Sequence, residues 1–259
     1  MCRHLAYAGP PVTLGSLLLD PPFGLYRQSW APRLQRHGTV NADGFGVGWY
    51  ADDDPVPARY RRDIPIWNDA SLPDIARVTR SRAVLAAVRS ATPGTAHGEA
   101  AAAPFMSGTW LFSHNGVLEG WRDFETAGTV RAADLESLTD SALLWALVLG
   151  RLRSGTAADL AVAATIAAVE AAGGTGRFNF LLTDGRVIAA TAAGDTLCYR
   201  ASRHAVVVAS EPGDDEPGWT EVPDGSVVTA TPQQVSVAEL AAPGTHDAHH
   251  AEDGRIAIR

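Results

Sequence analysis

Cysteine is nearly missing from this 259-residue chain, which has only Cys2 and Cys198. Two cysteines cannot build a disulfide framework, so a buried core has to hold the fold. Long apolar runs are missing too. None approaches the roughly 20 residues that cross a bilayer. The opening M-C-R-H-L-A-Y-A-G-P-P has no charged stretch leading into a continuous apolar one, which argues against a signal peptide and against a membrane. Together these absences point to the reducing cytoplasm. Positive charge is also short: 21 basic residues face 29 acidic ones, for a net charge of −8 with no basic stripe. That pattern excludes nucleic acid as the expected partner. No G-x-x-x-x-G-K-[ST] loop is present, so no nucleotide cofactor is expected. His246, His249 and His250 sit in a polar stretch without partner ligands at matching spacing, so no metal is expected either.

What is present describes an ordinary globular chain, 46% hydrophobic and 19% charged. No Pro/Ser-rich linker or internal repeat divides it. We expect one domain over residues 1–259, with 241–259 as a loose polar tail. Gly44-Phe45-Gly46-Val47-Gly48-Trp49 alternates bare and bulky positions at period two. Its glycine face predicts close approach of either a ligand or a second sheet. Ala83–Ser90 and Trp110–Asn115 read as buried strands that end in polar groups. Ser141–Leu152 reads as a helix capped by Asp140 or Ser141, and Thr156–Ala172 as a second helix stopped by Gly173-Gly174. A strand-rich half follows, punctuated by Asp184-Gly185 and Gly194-Asp195 turns. Strands and helices in these proportions predict an α+β sandwich.

Four short stretches carry chemistry, and the first is Cys2. Trimming of Met1 would leave a thiol and a free α-amine on one residue, a nucleophile with its own base. The plainer reading is a small hydrophobe at the start of a strand. Arg89 closes a strand beside Ser90-Ala91-Thr92, where a guanidinium suits a bidentate grip on a carboxylate or a structural ion pair. His114-Asn115-Gly116 offers an amide and a glycine N–H side by side, which fits an oxyanion hole or a simple turn. Asp140 opens a helix, where it can receive an ammonium or cap the helix. A nucleophile, an oxyanion hole, a carboxylate clamp and an ammonium receiver together fit the head of a γ-glutamyl compound. Cys198, in an apparent strand, reads as a buried hydrophobe.

Cys2, Arg89-Ser90-Ala91-Thr92, His114-Asn115-Gly116 and Asp140 resemble, in order and spacing over about the first 150 residues, the class II glutamine amidotransferases. These are N-terminal-nucleophile hydrolases. The resemblance implies a four-layer αββα sandwich. It also implies Cys2 as nucleophile, Asn115 and Gly116 as oxyanion hole, and Arg89, Thr92, His114 and Asp140 on the glutamyl group, with no cofactor. One departure stands out: Ala87 replaces a histidine that many members carry two residues before the arginine. The opening residues, Q-S-W-A-P-R at Gln28–Arg33, N-A-D-G-F-G-V-G-W-Y at Asn41–Tyr50 and Ser210-Glu211-Pro212 further resemble a bacterial ergothioneine-pathway subgroup of that family. That implies a leaving group bearing a trimethylated ammonium, for which Trp30 and Tyr26 are the aromatic candidates. With the fold using up the chain, a hydrolase is expected rather than a glutaminase subunit feeding ammonia to a synthetase, or an inactive γ-glutamyl-binding module. Homo-oligomerisation is left open.

Overall fold

The computed structural model describes residues 2–91, 94–122 and 130–240. Two antiparallel sheets lie face to face. The first has strands β1 (Arg3–Thr13), β2 (Phe45–Ala51), β3 (Asp54–Arg62), β4 (Arg80–Val88), β9 (Cys198–Ala201), β10 (Val206–Ala209) and β11 (Trp219–Glu221). Their spatial order is β11-β9-β10-β1-β4-β2-β3. The second has β5 (Phe105–Ser107), β6 (Trp110–Leu118), β7 (Gly176–Thr183), β8 (Ile188–Ala192), β12 (Ser226–Ala230) and β13 (Val235–Glu239). Their order is β13-β12-β8-β7-β6-β5. Short helices α1 (Leu14–Leu18), α2 (Leu25–Gln28) and α3 (Leu72–Val78) cover the outer face of the first sheet. Helices α4 (Asp140–Arg153) and α5 (Ala158–Ala171) cover the second. The result is the four-layer αββα sandwich.

Strand alternation in β1 shows how sequence sorts the layers. Leu5 and Tyr7 pack with Leu14, Leu18, Leu25 and Leu72 under the short helices. Ala6 and Ala8 point the other way, against Leu111, Leu181 and Ile188 of the second sheet. Small residues on that inner face let the sheets approach closely. Gly46 and Gly48 extend the rule. A Cβ on Gly46 would run into the carbonyl oxygen of Ala103, and one on Gly48 would lie 2.6 Å from Leu111 Cδ1. The glycine face of this segment therefore serves sheet packing and leaves no room there for a ligand.

Several boundaries differ from expectation. β6 continues three residues beyond Asn115, so Asn115-Gly116 lies inside a strand paired to β7 and forms no turn. The cap of α4 is Thr139, whose hydroxyl accepts the Ala142 N–H at 3.1 Å. Asp140 occupies the first turn instead. The strand-rich half does not stay together: β7 and β8 join the second sheet, whereas β9 and β10 cross to the first, where β10 pairs with β1 and β9 with β10. Thr92, the expected tail 241–259 and its three histidines lie outside the described residues.

Candidate active site

The site forms where β1 begins. Arg3 pairs with Val88 and His4 with Ala87, a register that sets Cys2 opposite Arg89. On the other side Ser210 N–H donates to the His4 carbonyl at 3.0 Å, and His4 N–H donates to Ser210 Oγ at 3.1 Å. His4 Nδ1 and Ser113 Oγ, hydrogen-bonded at 3.1 Å, join β1 to β6 across the sheets. Cys2 and Asn115 each lie two residues from that bond, on the same strand faces as His4 and Ser113. Sulfur access differs sharply between the two cysteines. Both are free, but Cys2 is half-buried whereas Cys198 is buried. Burial pushes the Cys198 thiol well above the usual range, helped by Glu211 and Glu221, which leaves it inert.

Asn115 is fully buried, and neither its amide nitrogen nor its oxygen has a partner among the described residues. Such an amide is costly unless it is reserved for something that binds. Gly116 supplies a second donor, and the sheet geometry shows where it points. N–H groups alternate sides along a strand. The Leu118 N–H leaves β6 away from β7 and donates to Asp140 Oδ2 at 3.1 Å. Gly116, two residues earlier, projects its N–H to that same side, where β5 has already ended its pairing at Phe112. No side chain fits at position 116, because a Cβ would collide with the Arg177 carbonyl and approach His114 Nε2 to 2.6 Å.

Arg89 is buried and makes three hydrogen bonds, none of them to a carboxylate among the described residues. It donates to the Asp43 carbonyl at 3.4 Å, to Thr95 Oγ1 at 3.2 Å and to the Ala96 carbonyl at 2.9 Å. Among the described residues no acidic side chain forms an ion pair with it. Asp140 is equally buried. It accepts from Leu118 N–H and from Ser141 N–H at 2.9 Å, with no basic side chain bridged to it among the described residues. A buried cation and a buried anion, each lacking an opposite charge, suit a zwitterionic ligand.

His114 is placed differently from the substrate contact expected of it. Its Nε2 donates to the Arg177 carbonyl at 2.9 Å, so Nδ1 accepts the Ser141 hydroxyl at 3.0 Å. Both ring nitrogens are thus occupied, and burial lowers its pKa, keeping the ring neutral. His114 thus ties the α4 N-terminus, where Asp140 sits, to strand β6. His4, also buried, has its pKa brought down to about 3 by desolvation, aided by His114 and Arg3. Ala87 lies cross-strand from this imidazole. Trp30 and Tyr26 meet edge to face at 4.9 Å. Trp67, missed in the sequence because it stands alone between Ile66 and Asn68, completes a cluster at 5.7 Å from Trp30 and is 37% exposed. Arg27 lies 5.3 Å from the Trp30 ring.

An αββα sandwich with a cysteine at the head of a central strand, beside a buried amide and two buried, unbridged charges, is the architecture of an N-terminal-nucleophile hydrolase. The class-II glutamine amidotransferase family matches residues 22–204, and the chain belongs to that family. It is 46% identical over 240 residues to the γ-glutamyl-hercynylcysteine sulfoxide hydrolase of Mycolicibacterium smegmatis, covering 93% of this chain and 100% of that one. The protein of the same name from Mycobacterium tuberculosis is 43% identical, with 93% and 97% covered. Among solved structures, a class-II glutamine aminotransferase domain protein from Silicibacter pomeroyi superposes with TM-score 0.67 at 26% identity, covering 93% of this chain and 100% of that one. The PRPP amidotransferase of B. subtilis shares the fold, with TM-score 0.62 at 17% identity, covering 93% of this chain and 49% of its own.

Proposed function

We propose that this enzyme hydrolyses the γ-glutamyl amide of γ-glutamyl-hercynylcysteine S-oxide, giving glutamate and hercynylcysteine S-oxide, by way of an N-terminal cysteine thioester. The single observation that carries the chemistry is the fully buried, unpartnered Asn115 amide beside the outward Gly116 N–H. Likeness to the mycobacterial hydrolases over nearly their whole length carries the choice of leaving group.

After Met1 is removed, the Cys2 α-amine takes the thiol proton, and the thiolate attacks the γ-carbonyl carbon. The carbonyl oxygen gains negative charge against Asn115 and Gly116. Collapse breaks the C–N bond, and the departing amine takes the proton that the α-amine holds. A water molecule, deprotonated by the α-amine, then attacks the thioester; the C–S bond breaks, the γ-carboxylate leaves, and the thiolate takes the proton back from the α-amine. Arg89 receives the α-carboxylate and Asp140 the α-ammonium, with Thr92 as an accessory contact and His114 holding Asp140 in place. Tyr26 and Trp30, with Trp67, receive the trimethylated ammonium of the leaving group. We further propose the cytoplasm as the compartment, in keeping with two unpaired cysteines.

The test is glutamate release from the conjugate and from free glutamine at equal concentration. The reading expects strong preference for the conjugate. Preference for glutamine, increased by a partner protein, would instead identify an ammonia-supplying glutaminase.

A further inference from the structure

The two short motifs of the subgroup resemblance, Gln28–Arg33 and Ser210-Glu211-Pro212, are nearly 180 positions apart yet meet at one carboxylate. Glu211 is almost fully buried, and both its oxygens accept backbone N–H groups: Oε1 from Arg33 at 3.0 Å and Oε2 from Leu34 at 2.6 Å. Its third neighbour is the guanidinium of Arg3, 4.0 Å away, with both side chains at zero exposure. Arg3 follows the nucleophile directly, and its Nε and one Nη have no hydrogen-bond partner among the described residues.

The segment that Glu211 grips runs from the aromatic cluster to the carboxylate clamp. At its start Trp30 follows helix α2. Its base is closed by Asn41, whose N–H donates to the Ser29 carbonyl at 2.6 Å and whose amide donates to the Gln28 carbonyl at 3.1 Å. At its end the Asp43 N–H donates to the Arg89 carbonyl at 2.9 Å, and Arg89 returns a bond to the Asp43 carbonyl. Between these anchors, 31–40 form no helix or strand. Two further contacts fix the middle: Arg33 bridges Asp215 at 2.7 Å, and its guanidinium lies 3.7 Å from the Phe23 ring. A loop without secondary structure depends on such side-chain acceptors for its position.

We infer that Glu211 is a positioning residue for leaving-group recognition: its carboxylate ties the Trp30–Asp43 loop to the strand that carries Cys2. The charge compensates Arg3, and the two oxygens set the height of the loop over the scissile amide. The inference rests on the proposed γ-glutamyl conjugate as substrate. It goes further in making discrimination between leaving groups depend on a residue that touches neither half of the substrate.

The experiment compares kcat/KM for γ-glutamyl-hercynylcysteine S-oxide with that for γ-glutamyl-p-nitroanilide, which shares the head but lacks the hercynyl part. Glu211→Gln keeps the shape but can accept only one of the two loop N–H groups. Losing a charged acceptor should reduce the conjugate-to-anilide ratio about tenfold or more, chiefly through KM for the conjugate. Arg33→Ala, which leaves the Glu211–Arg3 pair intact, should reduce the same ratio in a smaller step and covers the case in which Glu211→Gln does not fold. An unchanged ratio in folded Glu211→Gln, or in Arg33→Ala if the first is unfolded, overturns the inference. Failure of the underlying substrate reading shows separately, as wild-type protein that cleaves the anilide and leaves the conjugate intact.

Discussion

At the scale of single residues, the site divides labour between groups that bind and groups that respond to developing charge. In the proposed mechanism Arg89 and Asp140 meet charges present in the substrate from the start, whereas Asn115 and Gly116 meet charge that appears only as the thiolate attacks. Arg89→Lys keeps the charge but loses the planar fork, so it should raise KM with little change in kcat. Asn115→Ala removes one oxyanion donor and should lower kcat by about 10²–10³-fold. Steady-state kinetics on the two variants checks the division, and an Asn115→Ala effect confined to KM would contradict it. The sequence singled out Arg89 and Asn115 as polar groups at the ends of apolar runs and Asp140 as a charge opening a helix, and the structure buries all three. The partners of His114 were not legible in the sequence. Ser141 and the Arg177 carbonyl reach it from distant parts of the chain, and nothing local marks the pairing.

At the scale of elements, the most legible segments were those with a strong period and a clear stop. The alternating glycines gave a strand, and Gly173 at φ +80° ended α5 as expected. Asn115-Gly116 read locally as a turn, and it stayed extended because eight residues of β7 pair along β6. Tertiary pairing outweighed the dipeptide's preference. Strands β3, β5 and β11 to β13 and the three short helices carry too little pattern of their own and are defined by what they pack against. The sequence could not decide between ligand and sheet as the neighbour of the glycine face. Packing of Gly48 onto Leu111 decides it and gives a prediction. Gly48→Val would place new carbons where Leu111 and Pro104 already lie, and should destabilise the fold by about 1–3 kcal/mol. Chemical denaturation measures this, and an unchanged midpoint would mean that the sheets have room to spare.

At the scale of the whole molecule, two sheets are held in register near the site by His4 and Ser113, and that bond has a pH signature. The neutral imidazole is favoured in the folded state, with a pKa of about 3 against about 6.5 when unfolded. The unfolded chain therefore binds the proton first. The contribution of His4 is fully present above pH 6.5 and is lost as pH falls toward 3. Between pH 7 and pH 5 this one group should remove about 2 kcal/mol of stability. His4→Asn should lose that much less over the same interval in urea titrations, and equal losses in both proteins would contradict the assignment. Sequence alone also missed the crossing of the chain from β8 to β9, which sets Glu211 beside Arg3. Hairpin signals fix neighbours along the chain, and they say nothing about which sheet a hairpin joins.

The central claim is that Cys2, as the N-terminal residue, forms the acyl-enzyme. The most direct measurement is rapid quenching of the processed enzyme with γ-glutamyl-hercynylcysteine S-oxide, followed by mass analysis of the N-terminal peptide. A glutamyl adduct on Cys2 is expected to form and decay at a rate compatible with turnover. Folded Cys2→Ala should show neither adduct nor glutamate release. Glutamate release by folded Cys2→Ala at a rate near that of the wild type would contradict the account.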